Sequence, residues 1–481
     1  MQTLTSRITK RLHGKRTGLL LFTGLSLATC LFLTVSHGAT EHSGPGAPAK
    51  VQVAAKLSQH TIVQGEEQTL YLDIVVKAPA MDEIAAQQRA TDIIVILDRS
   101  GSMSSAEKMP YAKAAVQDIL SRLHDSDRFA LISFANRATV HTPLLLAGFV
   151  QRARLSRMVA GIRPAGGTNI GDGLQAALGI LNDTDNGRSI KVLLLSDGQA
   201  NQGITQPAAL AQLAAHLNRN GAVLSTIGMG LDFNETLLTT LADYGMGHYA
   251  YLEDLAGLGQ VLAGDLQQTR RLYASSSSLH IDLADGVQVL DAGGYPVTRN
   301  TDGSIEIATG QLLVDTIKHF IVTLGMTASS PGSLFLGNSR LRYQVQGNHY
   351  RQPLSREALQ ISVVAPERRQ EAVASIDHGV YQYSWLKNNL GRMQRQLSKW
   401  LREGKKDQAE KTIREYREAV SAASAAGNVP LPTTRVEERL DALESQVQEA
   451  FSGKTPVQEV KRKRTAKSIH YGAMVEQRAS Q

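Results

Sequence analysis

Two unbroken apolar runs, Ile93-Ile94-Val95-Ile96-Leu97 and Val192-Leu193-Leu194-Leu195, limit what this chain can fold into. A strand with one wetted face alternates apolar and polar residues. A strand that is apolar at every position is buried on both faces, which is the situation of a parallel sheet covered by helices on two sides. The surrounding rhythm agrees. Strands are expected at 92–97, 128–134, 190–195, 223–228 and 248–252, and amphipathic helices at 111–123, 155–162, 170–181, 207–220, 234–244 and 256–272. The expectation is a doubly wound α/β domain with a parallel sheet over 90–272.

The flanks follow other periods. From Thr69 to Ala78, Leu70, Leu72, Ile74 and Val76 alternate with Thr69, Tyr71, Asp73 and Val75, the pattern of a half-buried antiparallel strand. Residues 51–85 are therefore a β segment. Alternation returns over 274–365, at Leu279/Ile281/Leu283, Ile305/Ile307, Phe320/Val322/Leu324 and Leu341/Tyr343/Val345, as in an antiparallel β-sandwich. If the strand near residue 70 joins it, the α/β domain is an insertion in one β module. After Pro366 the spacing of Tyr383, Leu386, Leu390, Met393, Leu397 and Leu401 turns helical, and 366–452 is read as a helical region. Residues 453–481 are read as a basic, flexible tail. A chain of 481 residues, 42% hydrophobic and 20% charged, has the length and composition for several globular domains.

The chemistry concentrates at Asp98-Arg99-Ser100-Gly101-Ser102, directly after the first apolar strand. Ligands of doubly wound sheets sit at the carboxyl ends of the strands. There one carboxylate and two hydroxyls converge, and Gly101 permits the tight turn between them. Thr168, in the loop Gly166-Gly167-Thr168-Asn169, offers a third hydroxyl. Asp197, in Ser196-Asp197-Gly198 at the end of the second apolar strand, offers a second carboxylate. All are hard oxygen donors suited to Mg²⁺, Mn²⁺ or Ca²⁺, with Mg²⁺ in first place. Arg99 sets a cation beside them, read either as a surface charge or as a clamp for an incoming carboxylate.

The set Asp98, Ser100, Ser102, Thr168 and Asp197 resembles the metal-ion-dependent adhesion site of the von Willebrand factor type A (vWA) family. The stretches Thr226-Ile227-Gly228-Met229-Gly230 and Tyr249-Ala250-Tyr251-Leu252 are similar to bacterial, exported members of that family. The resemblance implies that Ser100, Ser102 and Thr168 bind the cation directly, and that Asp98 and Asp197 act directly or through water. It implies a metal-dependent protein-binding module for adhesion or complex assembly, in which the cation takes an Asp or Glu of a protein partner. The rival is a cell-envelope assembly factor acting through its helical and β modules. A metal-assisted hydrolase needs a general base or a second metal, and the sequence has no HExxH, GxSxG or P-loop. The chain is therefore read as a non-enzyme.

Arg7, Lys10, Arg11, Lys15 and Arg16 precede an apolar run from Gly18 to Val35. Residues 1–38 are read as a signal peptide or an uncleaved signal anchor, and 39–50 as a linker. Both readings export the remainder to the periplasm or cell surface. Cys30, the one cysteine, lies in that run, so disulfides and cysteine catalysis are not expected in the mature chain. The net charge of +7 falls to +2 without those five basic residues, and to −3 when Lys461, Arg462, Lys463, Arg464 and Lys467 are also removed. The folded body is thus not basic, and nucleic acid is not an expected partner. The basic tail is read as solvated or as a contact to anionic envelope material.

Overall fold

Strands β1 (Gln52–Leu57), β2 (Thr61–Val63) and β3 (Glu67–Lys77) open the described chain. The computed structural model describes residues 50–80, 90–105, 107–182, 188–230, 233–252, 264, 270–345, 348–426 and 433–478. The signal or anchor expected over 1–38 with Cys30, nearly all of the linker expected over 39–50, and most of the helix expected over 256–272 lie outside the described residues.

Six strands then build the α/β domain: β4 (Thr91–Asp98), β5 (Arg128–Phe134), β6 (Ala138–Leu146), β7 (Ser189–Ser196), β8 (Ala222–Met229) and β9 (Met246–Leu252). Their order is β6-β5-β4-β7-β8-β9. Every neighbouring pair is parallel except β5 and β6. The antiparallel β6 corrects the wholly parallel sheet expected. It is an edge strand with Pro143 inside it and wetted positions along it, so it offers no apolar run to find. Helices α1 (Lys108–Arg122) and α2 (Phe149–Gly161) cover one face. Helices α3 (Ile170–Asn182), α4 (Pro207–Arg219) and α5 (Glu235–Tyr244) cover the other. Within β4, Ile93, Val95 and Leu97 pack under α1 and α2, and Ile94 and Ile96 under the opposite helices. Burying each such side chain contributes roughly 1.5–3 kcal/mol, which is why polar residues are missing from the run.

The chain re-enters the β module through β10 (Leu272–Ala274), β11 (Ser276–Leu283), β12 (Val287–Asp291), β13 (Val297–Arg299), β14 (Ile305–Ala308) and β15 (Leu312–Leu313). It continues with β16 (Ile317–Thr327), β17 (Gly332–Phe335), β18 (Gly337–Val345), β19 (Asn348–Pro353) and β20 (Gln360–Val364). The main sheets are β1-β3-β16-β12 and β13-β14-β11-β18-β19. β3 pairs antiparallel with β16 from Glu67↔Thr327 to Lys77↔Ile317. Leu70, Leu72 and Ile74 meet Leu279, Ile281 and Leu341 in the shared core. Among the described residues of this module, the one parallel pairing joins β2 to β20.

The second face of β3 is not wetted as its alternation implied. Tyr71 and Asp73 are 7% and 6% exposed, because helix α7 lies across them. A short helix α6 (Arg369–Ala374) leads into α7 (His378–Glu403), followed by α8 (Lys406–Ala426), α9 (Thr433–Ala450) and α10 (Thr455–Arg478). The Asp377 side chain caps α7 by accepting from Val380 N–H, and Gly404, at φ 72°, ends it. Beneath α7, Asp73 accepts from His319 Nδ1 at 3.0 Å, Lys387 Nζ donates to the Tyr383 hydroxyl at 3.0 Å, and Asn388 Nδ2 donates to Thr323 Oγ1 at 2.9 Å.

Helix α10 replaces the flexible tail expected at 453–481. Its small and apolar positions Ala466, Ile469 and Ala473 are buried in the helical core, and the Ser398 hydroxyl of α7 donates to the Ala466 carbonyl at 2.8 Å. Its cations disguised that face. Lys461 pairs with Glu449, Lys463 with Glu459, and the Arg462 guanidinium stands over the Phe451 ring.

Candidate metal centre

β4 delivers Asp98 to the carboxyl edge of the sheet with no exposed surface. Ser100 N–H donates to its Oδ1 at 2.8 Å, and Ser196 Oγ to its Oδ2 at 2.5 Å. Burial pushes the Asp98 carboxyl up to about 6, against the pull of those hydrogen bonds. The hydroxyls of Ser100 and Ser102 stand 3.0 Å apart, one buried and one exposed. Gly101 N–H donates to the Gly166 carbonyl at 2.9 Å, which ties the serine loop to the loop that carries Thr168. A Cβ at Gly101 would stand 3.3 Å from that same oxygen, so a larger residue would have to push the two loops apart by a few tenths of an ångström.

Thr168 is buried and held through its backbone. Its N–H donates to Asn201 Oδ1 at 2.8 Å, and its carbonyl accepts from Asn201 and Gln202 N–H at 3.0 and 3.2 Å. Asn136 Oδ1 accepts from Gly167 N–H at 2.6 Å. Asp197 follows Ser196 at the end of β7, and its carbonyl accepts from Asn234 N–H at 3.0 Å. Its Oδ2 accepts from Lys108 Nζ at 3.0 Å. Its Oδ1 is buried with no hydrogen-bond partner among the described residues.

The donor set fits a hard divalent cation. An orphaned, buried carboxylate oxygen is costly unless something positive meets it. Among the described residues no group of three or more Asp, Glu, His or Cys side chains is placed to hold a metal ion, so a cation site here draws on hydroxyls as well. Arg99 forms no ion pair among the described residues; burial, and after it the Arg99 charge, hold the His141 imidazole below the usual histidine range. An open cleft of about 440 Å³ is lined by Gln199, Ala200, Asn201, Phe233, Leu237 and Asn234, whose N–H donates to the Asp197 carbonyl.

Sequence reasoning missed the supports. Lys108 comes from the first turn of α1, and a Cβ on Gly230, at φ 80°, would stand 2.8 Å from its Cε. The signal available was a lone lysine at the start of a helix following the serine loop. The amides Asn136, Asn201 and Asn234 stitch the loops and carry no pattern of their own.

Residues 92–263 match the family described as von Willebrand factor type A domain. The chain contains a vWA domain, of a family generally involved in protein–protein interaction or adhesion. Members commonly bind a divalent cation at a metal-ion-dependent adhesion site. Among similar proteins, YfbK of Escherichia coli (strain K12) is 28% identical over 210 residues, 42% of this chain and 35% of that one. Inter-alpha-trypsin inhibitor heavy chain H4 of Homo sapiens is 30% identical over 158 residues, 31% of this chain and 17% of that one. The chain thus spans about a third or less of these relatives. The solved von Willebrand factor type A structure from Catenulispora acidiphila superposes with a TM-score of 0.63 at 17% identity, covering 88% of this chain and 96% of that one. The ArnB paralog VWA2 from Sulfolobus acidocaldarius gives 0.54 at 17% identity, covering 88% and 99%. These likenesses show the fold, extending beyond the α/β domain.

Proposed function

We propose that this chain is a metal-dependent protein-binding module, and not an enzyme, which holds one divalent cation on Asp98, Ser100, Ser102, Thr168 and Asp197. Mg²⁺ is the preferred ion, with Mn²⁺ or Ca²⁺ as alternatives. The buried Asp197 Oδ1, which has no hydrogen-bond partner among the described residues, is the observation that carries this reading. When bound, the cation supplies an electrophilic position that a carboxylate of another protein can fill. The chain's own part is to keep that position open and charge-poor. The Ser196 and Ser100 hydrogen bonds fix the Asp98 carboxylate, the Asn201 bracket fixes Thr168, and Lys108 offsets part of the Asp197 charge. The cleft lined by Asn201 and Asn234, which brace Thr168 and Asp197, is open for side chains flanking the partner's Asp or Glu.

Export to the periplasm or cell surface belongs to the same proposal and rests on the basic and apolar N-terminal run. No helix among the described residues is long and apolar enough to cross a membrane.

Paramagnetic relaxation tests the carboxylate step. With Mn²⁺ and the full chain, acetate protons should relax faster than with Mn²⁺ alone, and Thr168→Ala or a chelator should remove the gain. Acetate relaxation indifferent to the chain, with Mn²⁺ bound, would sink the carboxylate reading.

A further inference from the structure

Helix α2 differs from the other helices that cover the sheet. Its inward residues Leu155 and Val159 are fully buried, as a covering helix requires. Phe149 and Val150 at its start are 79% and 80% exposed, and Leu146 just before it is 60% exposed. Phe149 and Val150 are the two most exposed large apolar side chains among the described residues. The same helix carries Arg152, Arg154 and Arg157, with Arg163 just beyond, and no acidic residue from Phe149 to Gly161. Arg152 pairs with Asp125, whereas Arg154, Arg157 and Arg163 form no ion pair among the described residues.

Helical geometry brings these features together. At 100° per residue, Val150, Arg154, Arg157 and Gly161 fall on one line, opposite Leu155 and Val159. Lys113 of α1 donates to the Ala160 carbonyl of α2 at 2.9 Å, and burial, with the Arg163 charge second, lowers its pKa, so the positive field extends across the groove between the two helices. Single exposed apolar residues are ordinary on a monomer. Leu146, Phe149 and Val150 lie within five residues of one another and lead into a helix whose Arg154 makes no side-chain hydrogen bond among the described residues and whose Arg157 bonds only to the Ala153 carbonyl, so together they form a surface with its own chemistry.

We infer that this face of α2 docks on an anionic lipid bilayer. Phe149, Val150 and Leu146 would enter the boundary of the acyl chains while Arg154 and Arg157 stay with the phosphates. The alternatives fit less well. A soluble polyanion would satisfy the arginines but gain nothing from Phe149 and Val150. A second copy packed through the same helix would set arginines against arginines, because a two-fold contact repeats each patch on both sides. Leu146 pairs with Arg128 at the start of β5, and Ala138 with Phe134 at its end. The apolar tip therefore lies at the edge of the sheet remote from Asp98, about 20 Å away at the rise of a strand. A bilayer that takes up Phe149 leaves the candidate metal centre uncovered, and the inference does not depend on that centre binding metal.

A local reporter tests this in the full chain whatever the N-terminal apolar run does. Cys30→Ser with Val150→Cys allows a nitrobenzoxadiazole label at position 150 alone. Its emission should brighten and shift to the blue with vesicles of phosphatidylcholine and phosphatidylglycerol, and stay unchanged with phosphatidylcholine alone. Adding Arg154→Gln and Arg157→Gln should raise the lipid concentration needed by roughly 25-fold, at about fivefold per arginine. Unchanged emission at all lipid contents overturns the inference, and so does an equal response to neutral vesicles. A response that follows protein concentration without lipid would assign the face to a second copy instead.

Discussion

Lys108 Nζ lies 3.0 Å from Asp197 Oδ2, with the lysine side chain 10% exposed and the aspartate 1% exposed. The chain thus keeps an internal ammonium at the flank of its candidate cation site. That ammonium stabilises Asp197 in the absence of metal and repels a cation placed against the same carboxylate. Lys108→Met should therefore bind Mg²⁺ about tenfold or more tightly, since a unit charge roughly 6 Å away in a partly buried site is worth a few kcal/mol. The metal-free variant should also unfold at lower temperature, because Asp197 is left buried and unpaired. Calorimetry with and without Mg²⁺ checks both halves, and unchanged affinity would show that the cation does not feel the lysine.

Arg402 of α7 reaches Glu235 of α5 at 3.0 Å, and the Glu235 side chain is only 3% exposed. Burial raises the Glu235 carboxyl and the guanidinium opposes that rise. The Lys467 ammonium stands 3.7 Å from the centre of the Phe233 ring nearby. The helical region is therefore fastened to the segment that follows β8. Arg402→Ala should cost roughly 1–3 kcal/mol, discounted for the partial exposure of the arginine. Hydrogen exchange should show the first turn of α5 opening more often. Unaltered protection there would mean that the pair is incidental.

Lys387 lies under α7 against β16, where burial lowers its ammonium to about 8 although Asp73 pulls it back up. The unfolded chain holds that proton up to about 10.4, so between these values the unfolded state binds more protons than the folded one. Stability contributed at this site should rise as pH climbs through about 8 toward 10.4. Denaturant unfolding across that window, compared with Lys387→Met, isolates the effect. Parallel pH curves for the two proteins would contradict it.

Much of the fold was legible because burial on two faces leaves an unbroken record. The runs at β4 and β7 could be read as central strands with few competitors, and Asp98, Ser100, Ser102 and Asp197 follow from where those strands end, whereas Thr168 stands in the loop before α3. β6 escaped because an edge strand with a proline and wetted positions has no such record. The second face of β3 was misread for a related reason. Tyr71 and Asp73 are buried by a helix that arrives more than 300 residues later, and a polar network lets them look like surface. α10 was hidden by composition, since its buried face is made mainly of alanines between lysines and arginines. Lys108 had only a weak signal, a lone lysine at the start of a helix, because its meeting with Asp197 joins residues 89 positions apart.

The central claim is that the five oxygen-bearing residues at the carboxyl edge of the sheet hold one divalent cation. Calorimetric titration of Mg²⁺, repeated with Mn²⁺, into the full chain and into Asp98→Ala tests it most directly. The account predicts one site per chain in the unaltered protein and none in the variant, with both proteins giving the same circular dichroism. Equal binding by the two proteins, or no binding by either, would contradict it.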